Sequence, residues 1–222
     1  MDRAQDNLHR TLNDKPLDFQ ATHLRRVPSQ TRSRERLRLV LDAGDHLLAT
    51  EGPDAFTTNR IAAAAGIPVG SVYRYFPDKQ AIAEALALRY WSDFEDLVQA
   101  AAETDEREPL SDPGSVVLDT LAAGFRSRPG FLALWYGGFR TQRVRDATRP
   151  TRSAIARSIE RILATHWPQA NRQGRATVAQ MVVIAGDGLL REAFRRDPAG
   201  DEALLSEAKL MLNAYISERL TQ

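Results

Sequence analysis

The 222-residue sequence predicts an all-α protein with a small three-helix unit near its N-terminus and a larger helical domain after it. Apolar residues recur at spacings of three and four through most of the chain, which is the period of an amphipathic helix. No alternating apolar and polar run is long enough to predict a strand. Glycine and proline separate the helical segments from one another, as at Gly52-Pro53 and Pro129-Gly130.

The composition is that of an ordinary globular protein, with 43% apolar residues, 27% charged residues and a net charge of +1. Cysteine is absent, which excludes disulfides, thiolate metal ligands and a cysteine nucleophile. No apolar stretch approaches the ~20 residues that span a bilayer. Residues 1–30 lack the apolar core of a secretory signal. We therefore expect a cytoplasmic protein.

Three helices are predicted between residues 30 and 80. The first has one apolar face and ends at Gly52-Pro53, because this dipeptide interrupts a helix. Thr57 or Thr58 is a good cap for a short second helix. Gly66 suits the left-handed conformation that ends the second helix, and a third short helix follows.

A fourth helix is predicted from about Asp78 to Ala102, and the polar stretch at residues 103–114 follows it. Further helical patterns lie near residues 113–127, 129–140, 148–166, 171–196 and 201–220. The predicted division of the chain is a flexible N-terminal arm at residues 1–29, a three-helix domain at 30–80 and a helical domain at 81–222.

The second and third helices carry the residues that a helix-turn-helix requires. Alanines at 62 and 65 leave room for close packing, and Gly66 turns the chain without a Cβ clash. In such a unit the second of the two helices enters the DNA major groove with its N-terminal residues leading. Here these residues are Val69, Gly70, Ser71 and Tyr73. The ring of Tyr73 can pack on a thymine methyl group.

The segment Thr57–Lys79, TTNRIAAAAGIPVGSVYRYFPDK, resembles the signature of the TetR family of bacterial transcriptional regulators. The resemblance is strong over about residues 31–80, and beyond them it rests on helix count and length. It implies DNA phosphate contacts from Thr57, Thr58, Tyr75 and Lys79. It implies base or groove contacts from Asn59, Val69, Gly70, Ser71 and Tyr73. Val69 replaces a polar residue of other members, which favours an apolar contact there.

The resemblance and the helix pattern together predict an N-terminal helix-turn-helix DNA-binding domain followed by a larger helical ligand-binding and dimerisation domain. The implied function is that of a repressor that binds a palindromic operator as a homodimer and is released by a small hydrophobic or aromatic effector. A ligand-independent architectural DNA-binding protein and a transcriptional activator are the alternatives. We expect no enzyme activity, metal or cofactor, since the four histidines lack ligand spacing and no phosphate loop or nucleophile elbow occurs.

Two further sets of residues are predicted in the larger domain. Aromatic side chains concentrate on the fourth helix and between residues 125 and 139, which is typical of a small-molecule pocket or of an aromatic core. The predicted pocket residues are Tyr90, Trp91, Phe94, Phe125, Phe131, Trp135, Tyr136, Phe139 and Met181. The last two helices resemble the dimerisation pair of the family, with interface residues Val178, Val182, Ala185, Leu189, Leu204, Ala208, Met211, Leu212 and Tyr215.

Overall fold

A computed structural model describes residues 31–107 and 112–221, and over these residues the chain is helical and contains no strand. The predicted all-α fold is therefore confirmed, whereas the predicted arm at residues 1–29 lies outside the described residues. The α-helices are α1 Thr31–Glu51, α2 Thr58–Ala64, α3 Val69–Tyr73, α4 Lys79–Asp105, α5 Pro113–Ser127, α6 Gly130–Tyr136, α7 Gln142–His166, α8 Arg172–Arg196 and α9 Glu202–Leu220. A short 3-10 helix, Pro53–Ala55, lies between α1 and α2.

Side-chain caps fix where several helices begin. The Thr57 side chain accepts a hydrogen bond from the Arg60 amide at 3.3 Å, which satisfies one of the free amides in the first turn of α2. Asn171 caps α8 and Asp201 caps α9 in the same way. These caps explain why the helix starts expected from the sequence lie within a residue or two of the observed ones.

Two helices of the middle region differ in extent from the sequence prediction. The helix expected at residues 129–140 ends at Tyr136, because Gly138 adopts a left-handed φ of 81° and turns the chain. The helix expected to begin at residue 148 begins at Gln142 and continues through Pro150. Proline there removes one backbone hydrogen bond, but Val144 and Thr148 are buried, and their packing favours continuing the helix.

The chain forms two compact units, and their boundaries fall inside α4 and α7. The first unit reaches to Tyr90 and includes Ser127–Thr148, and the second comprises Trp91–Arg126 and the chain from Arg149 onward. Both α4 and α7 thus contribute residues to both units. The predicted domain division at residues 29 and 80 stays a prediction.

The first unit contains a charged cluster that joins α1 to α4 and to the segment between α5 and α6. Asp45 accepts a hydrogen bond from the Tyr90 hydroxyl at 2.5 Å and an ion pair from Arg89 at 3.3 Å. Arg89 also pairs with Asp42 at 2.5 Å, and Arg128 lies 3.8 Å from Asp45. Burial and the neighbouring carboxylate raise the pKa of Tyr90 well above its usual value, so its hydroxyl stays protonated and donates to Asp45.

Candidate nucleic-acid interface

The helix-turn-helix is held by a small apolar core between α2 and α3. Ile61, Ala62 and Val72 are all buried, as the sequence spacing predicts for these helices. Gly66 has a φ of 66°, a conformation that side chains with a Cβ rarely adopt. The amide of Ile67 then donates to the Ala62 carbonyl at 3.1 Å, so the chain leaves α2 in a defined direction towards α3.

The outward face of α3 carries three of the predicted groove-contact residues. Val69 is 39% exposed and Tyr73 is 43% exposed, and their spacing of four residues places them on one side of the helix. Gly70 is exposed between them, and a Cβ at this position would meet no atom within 4 Å. This face of α3 is therefore exposed to solvent. Asn59 on α2 is also exposed, and Ser71 is half-buried.

Two of the predicted phosphate contacts, Thr58 and Tyr75, are buried. The Tyr75 side chain is part of the core, and its hydroxyl donates a hydrogen bond to Ser33 Oγ at 3.2 Å. In this arrangement the tyrosine proton is engaged within the protein, whereas the half-buried Ser33 hydroxyl retains a proton of its own to donate. Ser33 lies 42 positions from Tyr75, and no local sequence signal indicated the pairing.

The remaining predicted phosphate contacts lie at the ends of helices. Thr57 is half-buried and already caps α2, and Lys79 is exposed at the start of α4. The Lys79 ammonium lies 5.7 Å from the centre of the Phe139 ring. This cation–π contact restricts the position of the lysine side chain. Asp78 caps α4 by accepting from the Ala81 amide at 2.8 Å, and this fixes the position of Lys79 beside it.

Several exposed cationic residues lie close to the helix-turn-helix along the chain, and the sequence shows those of α1 as a basic cluster that can neutralise phosphates. Arg74 at the end of α3 is exposed, as are Arg32, Arg34 and Arg36 on the first turns of α1. Arg60 on α2 forms an exposed ion pair with Glu51 at 2.6 Å. The Tyr75–Ser33 hydrogen bond connects the first turn of α1 to the segment that follows α3.

The structure divides the predicted pocket residues between the two units. Tyr90, Phe131, Trp135 and Phe139 are buried in the first unit, and Trp91, Phe94 and Phe125 are buried in the second. In the second unit the Phe94 and Phe125 rings stack with centres 5.4 Å apart, beside a cavity of about 10 Å³ that also contacts Trp91. That volume is about what one water molecule requires. Tyr136 and Met181 are exposed and do not join either aromatic group.

The predicted interface residues of α8 and α9 differ in how far they are buried within this chain. Val178, Val182, Ala208 and Leu212 are buried within this chain, whereas Met211 is exposed. Ala185, Leu189, Leu204 and Tyr215 are half-buried. The exposed large apolar residues of these two helices are Met181, Ile184, Leu210 and Met211.

The described residues also include histidines and carboxylates outside the helix-turn-helix. No group of three or more histidines and carboxylates among them has the arrangement of a metal site. His166 Nε2 lies 2.8 Å from the buried Asp105 carboxylate, and this polar contact joins α7 to the end of α4. Over residues 31–107 and 112–221, no helix has both the length and the hydropathy that crossing a membrane requires.

The helix-turn-helix and the following helices match known proteins over most of the chain. Residues 40–86 match the family model for bacterial regulatory proteins of the tetR family, and residues 108–220 match the model for a tetracyclin repressor-like C-terminal domain. A TetR-family transcriptional regulator from Streptomyces coelicolor is 30% identical, with a TM-score of 0.61 over 83% of this chain and 99% of that one.

Two further relatives differ in what they share with this chain. The regulator FadR from Bacillus subtilis, solved with stearoyl-CoA, is 17% identical and has a TM-score of 0.59 over 79% of this chain and 96% of its own, so the likeness is one of fold. The nucleoid occlusion factor SlmA from Haemophilus ducreyi is 31% identical over 105 residues, which are 47% of this chain and 51% of that relative. The chain thus matches only about half the length of this curated relative. Since the C-terminal model alone matches half of the chain and the N-terminal model covers the helix-turn-helix, this chain belongs to the TetR family of DNA-binding transcriptional regulators.

Proposed function

We propose that the protein is a cytoplasmic repressor that binds a palindromic DNA operator as a homodimer and releases it when a small effector binds. The observation that carries the DNA-binding part is the open face of α3. Val69, Gly70 and Tyr73 are exposed together at the helix that a helix-turn-helix inserts into the major groove. Val69 and the Tyr73 ring suit thymine methyl groups, while the Gly70 position allows the helix backbone to approach the base edges.

Phosphate contacts from the surrounding residues would fix the position of α3 in the groove. Lys79 and Thr57 lie at helix starts, where a side chain or a free amide meets a phosphate oxygen. Ser33, which accepts the Tyr75 hydrogen bond, is the better placed donor of that pair, and Tyr75 would act through it. Thr58 is buried and would contribute chiefly by packing.

The homodimer is supported by the exposed apolar side chains of α8 and α9. Leu210 is 65% exposed and Ile184 is 50% exposed, and Met181 and Met211 accompany them. Such a group is typical of a surface that another protein covers. A second copy of the chain, related by a two-fold axis, would bring the same residues together from both sides. The paired α3 helices would then read two half-sites about one turn of DNA apart, ~34–36 Å.

The effector part of the proposal rests on α4, which carries Lys79 at its start and Trp91 and Phe94 further along. An effector that binds the second unit more tightly in one arrangement of α4 would shift the protein towards that arrangement. If that arrangement fits the operator less well, effector and DNA weaken each other's binding by the same factor.

The test of the DNA-binding part is a fluorescence anisotropy titration with two DNA duplexes of equal length. One contains the palindrome upstream of the gene, and the other has the same composition in random order. We expect a specificity ratio of at least about 10³. Tyr73→Ala should reduce this ratio, and Lys79→Ala should weaken binding to both duplexes alike. Equal losses on both duplexes for both variants would contradict the assigned roles.

An architectural DNA-binding protein is the second candidate, and the similarity to the nucleoid occlusion factor SlmA favours it. Such a protein needs no effector, and its relevant DNA sites are dispersed rather than confined to one promoter. Mapping of bound chromosomal sites in cells separates the two functions. A repressor should occupy one or a few promoters, whereas widespread occupancy without changes in transcription would support the architectural function.

A further inference from the structure

The second unit contains a cleft between α7 and α8 that differs in character from the narrow aromatic cavity. Its volume is about 410 Å³, which lies in the range of small-molecule sites in proteins. One wall carries arginines of α7, and the opposite wall carries Ala176, Val183 and Ile184 of α8 together with the polar Gln180. The residues that matter for its chemistry are Arg149, Arg152, Arg157, Ala176, Val183 and Ile184.

The cleft is strongly cationic. Three arginines line it, and no carboxylate is among its lining residues. The parent helix α7 carries six arginines and only two acidic residues. Within the described part of the chain, neither Arg152 nor Arg157 forms an ion pair. Clefts lined by charges of one sign concentrate the field and attract ligands of the opposite charge.

Arg152 is held in place by an aromatic ring. Its guanidinium carbon lies 5.2 Å from the centre of the Trp91 ring, and Trp91 is buried beside Phe94 in the narrow cavity. Val183 contributes to the lining of both the cleft and that cavity. A positioned guanidinium loses less conformational freedom on binding a carboxylate or phosphate group, and it offers two parallel donors to it.

We propose that this cleft binds a small amphipathic anion, with its carboxylate or phosphate on Arg152 and Arg157 and its apolar part along Val183 and Ile184. Ile184 is half-exposed in the single chain, so either an apolar group of the ligand or the second copy of the proposed homodimer would remove it from water. A DNA backbone would leave this apolar wall uncovered, and a neutral ligand would leave the arginines without an anion. The anion would be the effector of the repressor proposed above, so its regulatory role rests on the proposed function. Its binding to the cleft can be measured without DNA.

The probe is 8-anilinonaphthalene-1-sulfonate, an aromatic anion that fluoresces when bound, and its uncharged counterpart is N-phenyl-1-naphthylamine. Arg152→Gln/Arg157→Gln should weaken binding of the anion by about tenfold to a hundredfold, because two charge-assisted contacts are lost. Arg219→Gln, on the exposed side of α9, changes the charge without touching the cleft and should bind the anion as the wild type does. Binding of the uncharged probe should be the same in all three proteins.

A second variant keeps the test independent of the arginines. Ala176→Trp fills the cleft while all three arginines remain, and it should also displace the anionic probe. Octanoate and octyl phosphate should compete with the probe and 1-octanol should not, and the stronger of the two anions identifies the preferred head group. Equal affinity of the anionic probe for wild type, Arg152→Gln/Arg157→Gln and Ala176→Trp would overturn the proposal.

The same proteins are then titrated with operator DNA in the presence and absence of octanoate. Release of DNA by octanoate from the wild type, and its loss in Arg152→Gln/Arg157→Gln, is the result expected if the cleft holds the effector. If the anion binds in the cleft but DNA affinity does not change, the binding site stands and its effector role fails. If the protein does not bind the operator at all, the proposed function is contradicted. The probe titrations would still show whether the cleft binds an anion.

Discussion

The Tyr90 hydroxyl offers the sharpest test of how the first unit is held together. Tyr90→Phe removes one hydrogen bond to Asp45, 2.5 Å long, from a side chain that is completely buried. The carboxylate keeps Arg89 and Arg128 as partners, so the variant does not leave an isolated buried charge. A hydrogen bond to a charged group contributes about 1.5–3 kcal/mol, and we expect the free energy of unfolding to fall by that amount.

Urea denaturation followed by circular dichroism measures this loss. At the scale expected for a chain of this size, each kcal/mol lowers Tm by about 2–4 °C. Tyr136→Phe is the matched control, because Tyr136 is 53% exposed and makes no hydrogen bond within the described residues. The control should change stability by less than about 0.5 kcal/mol. Equal stability of the two variants would refute the role given to the Asp45 cluster.

The pH dependence of the stability difference between wild type and Tyr90→Phe gives an independent check. The pKa of Tyr90 is raised in the folded protein, chiefly by burial, so the unfolded state loses this proton at lower pH than the folded state does. The stabilisation is therefore complete below the unfolded pKa of about 10 and is lost as the pH rises towards the folded pKa. The stability difference between wild type and Tyr90→Phe should be constant from pH 7 to 9 and shrink above about pH 10. A difference that grows above pH 10 would contradict the cause assigned to the shift.

Two glycine pairs give predictions of opposite sign from the same substitution. In urea denaturation, Gly66→Ala should lower the free energy of unfolding by about 1–2 kcal/mol, because φ is 66° at this position. Gly70→Ala, in the open helix α3, should leave the free energy of unfolding unchanged or raise it by up to about 1 kcal/mol. Gly124→Ala should cost about 1–3 kcal/mol because the new Cβ would lie 2.5 Å from the Phe94 ring, while Gly186→Ala meets nothing closer than 3.9 Å and should not destabilise. Equal effects within either pair would contradict the corresponding geometry.

The features that the sequence predicts well are those that depend on neighbouring residues. The Thr57 cap and the left-handed Gly66 are set by contacts within four residues, so they can be recognised from local patterns. The Ser33–Tyr75 hydrogen bond and the Tyr90–Asp45 hydrogen bond join residues more than forty positions apart. Such pairs depend on how helices pack, and a single sequence does not specify that.

The apolar stripes of α8 and α9 show a second limit of periodicity. A helix with apolar residues at spacings of three and four has a stripe about 100° wide, and the pattern does not tell which edge faces the core of its own chain. In α8 the structure buries Val178 and Val182 and exposes Met181 and Ile184. Met181 and Val182 stand at spacings of three and four from Val178, and Ile184 follows Met181 by three. Burial in the folded chain is what separates a core position from one that is available to a partner.

Three consecutive residues of α8 have different surroundings. Val182 packs into the core, Val183 lines the arginine cleft, and Ile184 belongs to both the cleft and the exposed apolar group proposed for pairing. A ligand in the cleft that contacts Ile184 would therefore sense how the second copy packs against it. Under the proposed function, release of DNA requires that the ligand bind one arrangement of the dimer and its α4 helices more tightly than the other, by about 10⁴-fold to reverse a 99:1 population. An anion whose contacts with Arg152 and Arg157 are the same in both arrangements would leave DNA affinity unchanged. The apolar part of the ligand, which reaches Ile184, is thus the part that we expect to decide between binding and induction.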